Sequence, residues 1–353
     1  MNTIQPGFVP LTRAEYDTLT KLLGELLHTQ YPPVVIPGEA ILGIEAIAAS
    51  IAAPGRRFLN IVTGPYGTLF GEWLERGGAE VFELRVPFDE VVTAQAVQTA
   101  IERSKPHAIS FVHAEVVTGG SNPAKEILEL ARRYDLISVI DSVSAVGGEE
   151  LPIDSWGADL VAVGMQKALG GPNGVSAVAV SPRGWAFIES NARAPRNSIL
   201  SLLDLRAPGE GQPFRVPPSI PTLEARALIA TLAATEAEGL EQVIRRHEIA
   251  AESTAAGLRA LGLQGWQRDA ARRSTLTTTV RIGDEQLLRI EQPIGIVAPG
   301  DGELRGQLLR INHFGASASQ EGVETAIKTL AALLEQEATA AIAAVQEVWE
   351  AAQ

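Results

Sequence analysis

The sequence predicts an α/β protein: a large domain built on a mostly parallel seven-stranded sheet, followed by a smaller α+β C-terminal domain. Three observations support this. Seven short β-branched runs lie between residues 33 and 180, helix-length amphipathic stretches separate most of them, and long alanine-rich helical periodicity takes over after residue 222. Residues 1–30 are expected to form an N-terminal helical arm, 31–240 the large domain and 241–353 the small one. The strands are predicted at 33–36, 58–62, 81–86, 109–113, 136–140, 160–163 and 175–180. Residues 123–134 show the amphipathic spacing, with Ile127, Leu128, Leu130 and Ala131 on one face. Strands joined through helices imply right-handed crossovers and a sheet covered on both faces. Residues 192–221 lack periodicity and contain the Ala207-Pro208-Gly209-Glu210-Gly211 turn cluster; a loop of that length is functional or sits at an interface. Residues 222–261 read as one long helix, 276–282 and 308–312 as strands of the small domain, and 321–353 as a helical tail with an apolar stripe.

The 353 residues, 46% of them hydrophobic and 20% charged, are enough for a large core and two domains. A formal net charge of -13 argues against nucleic acid and anionic membrane surfaces as partners, since neither would meet a basic field. Cysteine is absent, which removes disulfides and thiolate metal sites. The start, Met1-Asn2-Thr3-Ile4-Gln5, carries no basic segment leading into an apolar core, and no apolar run is long enough to span a bilayer. The expectation is a cytoplasmic enzyme acting on small molecules, with no metal.

The residues with the most chemical content are Asp141, closing Val139-Ile140-Asp141, and Lys167, in Gly164-Met165-Gln166-Lys167-Ala168-Leu169-Gly170-Gly171. They have the layout of a lysine that forms a Schiff base and an aspartate that keeps a pyridine nitrogen protonated. Such a ring withdraws electrons well only while that nitrogen carries its proton, and a fixed carboxylate favours the cation. Both residues, with Tyr66 and His113, fall at or just beyond predicted strand ends, where ligands bind on parallel sheets. Taken singly, each has a plainer explanation: Asp141 as a turn cap, Lys167 as a solvated loop residue, Tyr66 as core. His113 is assigned a structural role, and Gly170-Gly171-Pro172-Asn173-Gly174 reads as the turn into the next strand.

The stretches Asp141-Ser142-Val143-Ser144-Ala145-Val146-Gly147-Gly148, Ile153-Asp154-Ser155-Trp156-Gly157-Ala158-Asp159, Gln166-Lys167-Ala168-Leu169, His113-Ala114-Glu115 and Leu309-Arg310-Ile311-Asn312-His313-Phe314-Gly315 resemble the class V aminotransferases of fold type I. That resemblance implies a homodimer or a dimer of dimers with sites at the subunit interface. It implies that Lys167 carries the Schiff base, Tyr66 stacks on the pyridine ring, Gln166 neighbours the cofactor phosphate, and Arg310 grips a substrate carboxylate. Ala40 and Val143 join the cofactor-binding set beside Glu39.

Where most of the family has a hydroxyl-bearing turn that cradles phosphate at a helix N-terminus, this chain has Gly38-Glu39-Ala40-Ile41. Glu39 would put the protein's own anion where a phosphate belongs. The loop that reaches in from the other subunit with a tyrosine reads Val216-Pro217-Pro218-Ser219 here. The expected ligand is therefore free pyridoxal or pyridoxamine, held as a substrate on Lys167. The same replacement, and Gly64-Pro65-Tyr66-Gly67 with Val86-Pro87-Phe88-Asp89-Glu90, is similar to members of the family that pass the amino group of pyridoxamine to pyruvate in vitamin B6 breakdown. Two further readings stand beside it: a conventional enzyme of the alanine-glyoxylate or serine-pyruvate type holding pyridoxal 5'-phosphate, with Glu39 turned away or protonated, and a non-catalytic homologue. Asp301 replaces a second carboxylate-binding arginine nine residues before Arg310, and Val116 replaces a hydroxyl residue that touches the ring. Asp301 would repel a carboxylate and could receive a substrate amine, which leaves the keto acid open.

Overall fold

A computed structural model describes residues 9–207, 216–217, 219–283, 285 and 287–352. Pro208, Gly209, Glu210 and Gly211 of the expected turn cluster, Pro218 of the 216–219 loop and the first eight residues of the expected arm lie outside that set. The strands are β1 (Val34–Ile36), β2 (Arg57–Val62), β3 (Glu80–Arg85), β4 (Ala108–Val112), β5 (Ala114–Glu115), β6 (Gly120–Ser121), β7 (Ile137–Asp141), β8 (Leu160–Val163), β9 (Ser176–Val180), β10 (Thr278–Arg281), β11 (Val297–Pro299) and β12 (Leu308–Ile311). The main sheet has seven strands in the order β1-β9-β8-β7-β4-β2-β3. Only β9 runs against the others, pairing antiparallel with both β8 and β1. All seven expected strands are present, with ends displaced by no more than one residue.

Alternation along the strands sends side chains into two separate cores. On one face Leu59, Ile61, Ile109, Phe111, Ile140 and Val161 pack with α1 (Arg13–Leu26), α4 (Ala94–Ser104), α5 (Ala124–Arg133), α6 (Ile153–Trp156) and α9 (Thr222–Glu238). On the other, Phe58, Ala108, Val139, Leu160 and Val178 pack with α2 (Ala40–Ile51), α3 (Pro65–Arg76), α7 (Pro182–Glu189) and α8 (Leu202–Leu205). The helix after β2 thus covers one face and the helix after β4 the other, although β2 and β4 are neighbours. That divergence opens a crevice beyond the carboxyl ends of β2, β4 and β7.

The expected single helix at 222–261 is two, because Gly239 (φ +88°) separates α9 from α10 (Leu240–Ala260). That backbone angle suits glycine and strains any other residue. The expected continuous tail is likewise α11 (Gln320–Leu333) and α12 (Thr339–Ala351), parted at Glu335 (φ +54°). These helices and α10 bury Leu258, Ile327, Leu330 and Val345 with Val280, Val297, Leu309 and Ile311 of a three-stranded antiparallel sheet, β10-β12-β11. No helix among the described residues is long and apolar enough to cross a membrane.

Candidate active site

The crevice is a cleft of about 280 Å³ lined by Glu39, Ile41, Ile44, Tyr66, Val112, Ala114, Glu115, Val116, Asp141, Val143, Ser144 and Lys167. Asp141 ends β7, a central strand hydrogen-bonded to β4 and β8, so its backbone is fixed on both sides. Its Oδ1 accepts a hydrogen bond from the Val143 N–H at 3.0 Å. The carboxyl is pushed up to about 6, chiefly by loss of water, with the Val143 N–H and Lys167 opposing the rise and Glu39 adding to it. A cation arriving in the cleft would therefore find an acceptor that gains from its charge.

Lys167 follows β8 in a tight turn held by Gly170 N–H to Lys167 O (3.0 Å) and Gly171 N–H to Met165 O (2.7 Å). Gly170 takes φ +64°, and its backbone meets that of Gly315, where an added Cβ would lie 3.2 Å from the Gly170 Cα. Gly315 is gripped from α10: its N–H donates to His247 Nε2 (3.1 Å), and its carbonyl accepts from Arg246 (2.7 Å). Burial lowers the Lys167 ammonium below its ordinary value and Arg310 adds to that, while Glu39, Asp141 and Asp301 oppose them. The Lys167 Nζ lies 5.6 Å from the Phe314 ring centre. A lysine amine that loses its proton easily can attack a carbonyl carbon and carry protons.

Glu39 caps the N-terminus of α2. Its Oε2 accepts from the Ile41 N–H at 2.8 Å, and its Oε1 accepts from the side-chain amide of Gln166. The cap and the cleft-lining role therefore belong to one side chain. Ala40 is buried at the head of α2, and the neighbours that line the cleft are Glu39 and Ile41. Tyr66 stands in the first turn of α3, 40% exposed, its phenol raised by burial and then by Glu115, Asp141, Glu39 and Asp301. Arg310 sits on β12, the middle strand of the small sheet. Its Nε donates to Pro299 O (3.0 Å), and Nη1 lies 2.8 Å from Asp301 Oδ2. The cation expected to hold a substrate carboxylate already faces an internal one.

His113 is structural, as expected. It is buried, its Nδ1 lies 3.2 Å from Ser142 Oγ, and its backbone N–H donates to Asp141 O at 2.8 Å. Burial holds the imidazole below its ordinary pKa, partly offset by Glu149 3.5 Å away. The Gly170–Gly174 run is, as read, the turn into β9. Val116 packs with Ala114, Ala145, Ala168 and Leu276 and gives the cleft an apolar wall.

Glu115 was not singled out from the sequence. It is 1% exposed, and its carboxyl is pushed up to about 8, chiefly by burial. Oε1 accepts from the Val117 N–H at 3.2 Å, whereas Oε2 is buried with no hydrogen bond of good geometry. Any side chain at Gly64, the uncapped head of α3, would collide with this carboxyl, 2.4 Å from a Cβ placed there. The available signal was a lone acid within the apolar run 108–117.

A flat heteroaromatic aldehyde or amine suits this donor set. Asp141 can hold a ring N–H⁺, the partly exposed Tyr66 offers an aromatic face, the Val112, Ala114, Val116 and Val143 side chains are apolar, and Lys167 presents an amine to the cleft. A second anion beside Glu39 does not suit it.

The class V aminotransferase family model matches residues 34–290. A pyridoxamine–pyruvate transaminase of Mesorhizobium japonicum is 33% identical over 325 residues, 90% of this chain and 82% of that protein. An alanine–glyoxylate aminotransferase of Callithrix jacchus is 30% identical over 323 residues, covering 89% and 78%. Among solved structures, pyridoxamine-pyruvate aminotransferase from Mesorhizobium loti superposes with a TM-score of 0.87 at 30% identity, covering 96% of this chain and 90% of that one. Ureidoglycine-glyoxylate aminotransferase from Bacillus subtilis follows at 0.84 and 27%, with the same coverage. With its α/β architecture of fold type I and its match to the family model over most of its length, the chain belongs to the class V aminotransferases.

Proposed function

We propose that this aminotransferase moves an amino group between free pyridoxamine and a small keto acid, with pyruvate and alanine as the first pair to test, in the breakdown of vitamin B6. The observation that carries the reading is Glu39. Its carboxylate occupies the N-terminus of α2, both oxygens engaged, in the wall of the cleft that holds Lys167 and Asp141. A helix N-terminus attracts one anion, and a phosphate ester there would meet another already in place. A hydroxymethyl group could instead donate a hydrogen bond to Glu39. The likeness to a relative named for pyridoxamine and pyruvate agrees with this.

When bound, the B6 ring supplies the electron sink that takes up the electron pair left by carbon deprotonation. Asp141 would hold the ring nitrogen's proton, its carboxylate favoured by that cation. Tyr66 would limit ring rotation. Lys167, its amine eased toward the neutral form by burial, would serve as the attachment point and hold a proton at Nζ between the two carbons that exchange it. Arg310 would receive the keto-acid carboxylate. We further propose a homodimer or dimer of dimers in the cytoplasm, with the chain divided as an arm (1–30), a large domain (31–240) and a small domain (241–353).

The test is direct. Purified protein is mixed with pyridoxamine and pyruvate, and alanine and pyridoxal are quantified. Equimolar formation of both supports the reading. Failure to form them, with transfer between amino and keto acids only after loading with pyridoxal phosphate, would replace it with the conventional enzyme; no transfer under either condition would leave the non-catalytic homologue.

A further inference from the structure

Keto acids bring a carboxylate, and a cleft that binds one needs a fixed cation. Among the described residues Lys167 lines the cleft and Arg310 lies close enough to act on its ammonium, and Lys167 is committed to chemistry in the reading above, on which this inference rests. Arg310 is well placed. Its side chain is only 14% exposed, and its backbone is fixed between Thr279 of β10 and Ala298 of β11. A guanidinium so enclosed would be costly to leave without a counter-charge. Asp301 supplies one, with Oδ2 at 2.8 Å, while its own side chain remains 59% exposed.

The turn that carries Asp301 permits an exchange of partners. Asp301 precedes the short helical turn Gly302–Leu304, yet its side chain makes no capping hydrogen bond. Gly302 takes φ +54°, and a Cβ built there would meet nothing within 4 Å, so the space beside Asp301 is open. Arg310 lacks that freedom, because its Nε is tied to the Pro299 carbonyl. An incoming carboxylate therefore meets a guanidinium that stays in place and an aspartate that can swing into water.

We propose that Asp301 is a specificity-determining residue: a resident carboxylate that occupies Arg310 in the free protein and competes with the substrate carboxylate for it. Displacing it weakens the binding of every simple keto acid. The exchange is favourable only for substrates whose remaining contacts make up the difference or whose far end tolerates a nearby anion.

The experiment compares wild type with Asp301→Asn and Asp301→Ala. Calorimetry on the full chain without any B6 compound measures the affinity for propionate, an unreactive carboxylate. Steady-state assays with pyridoxamine measure KM and kcat for pyruvate. Removing a half-exposed competing charge should tighten propionate binding and lower the pyruvate KM by about 5- to 10-fold in both variants, with the change in KM rather than kcat. Unchanged or weaker propionate binding in both variants would overturn the proposal, as would a raised pyruvate KM. If wild type makes no alanine from pyridoxamine and pyruvate, the proposed reaction fails on its own, and the calorimetric comparison still decides the role of Asp301.

Discussion

Replacing Glu39 with serine should change which form of the vitamin this protein holds. The perturbation is local: serine is at least as good as glutamate at a helix N-cap, so α2 keeps its first-turn acceptor. What changes is charge. At an effective dielectric near 20, two unit charges about 4 Å apart repel by about 4 kcal/mol. Glu39 is only partly buried and already accepts hydrogen bonds from Ile41 and Gln166, so solvent and those donors reduce the penalty on a phosphate to about 1.4–2.8 kcal/mol. The affinity ratio of pyridoxal phosphate to pyridoxal should accordingly rise by about 10- to 100-fold in Glu39→Ser. The side-chain amide of Gln166, released from the carboxylate, would add to that gain. The assay is an absorbance titration of each compound against wild type and variant in the same buffer, and only the ratio is read. A ratio unchanged within threefold would refute the electrostatic exclusion, as would a wild-type protein that already prefers the phosphorylated form.

Lys167→Ala should abolish the borohydride-fixed adduct of pyridoxal detected by mass spectrometry; an adduct of undiminished yield would remove Lys167 from its role. Asp141→Asn should lower amino transfer by at least about 100-fold while the protein stays folded, since a neutral amide cannot favour a ring cation; activity within about fivefold of wild type would contradict this. The Glu115 carboxyl titrates near 8 in the fold and near 4.5 unfolded, so the folded state holds the extra proton and stability falls as pH rises from about 4.5 to 8. Glu115→Gln removes that slope, so its stability relative to wild type should climb by about 1–3 kcal/mol between pH 5 and pH 8 in urea unfolding; parallel curves would show that the carboxyl is not held protonated. Gly239→Ala should cost about 1–3 kcal/mol, because alanine must adopt a backbone angle of φ +88°. A loss below about 0.3 kcal/mol would mean that α9 and α10 can be rejoined without strain.

The seven strands were legible because parallel strands covered on both faces read as short, continuous β-branched runs. Ile109 and Phe111 face one core while Ala108 faces the other, and all are apolar. Lys167, Asp141 and Tyr66 were legible for a related reason: each lies at or just beyond a strand end, and the topology draws strand ends together. The breaks at Gly239 and Glu335 were hidden, because an isolated glycine or glutamate among good helix formers carries little signal that the backbone must turn. Glu39 could be named as an acid in the cleft, whereas its double engagement by Ile41 and Gln166 depends on where β8 leaves Gln166, 127 positions away. Two features were beyond the sequence: the burial of Glu115 against Gly64, set by packing between segments far apart in the chain, and the Asp301–Arg310 contact, set by how the turn after β11 folds back beside β12.

The meeting of Gly170 with Gly315 gives the molecule a stiff mechanical linkage. Two stretches of main chain abut with no side chain between them, and the far stretch is clamped by Arg246 and His247. Flexible side chains absorb small displacements by changing rotamer; bare peptide groups cannot. A tilt of α10 would therefore be handed to the turn that carries Lys167 with little slack between the two.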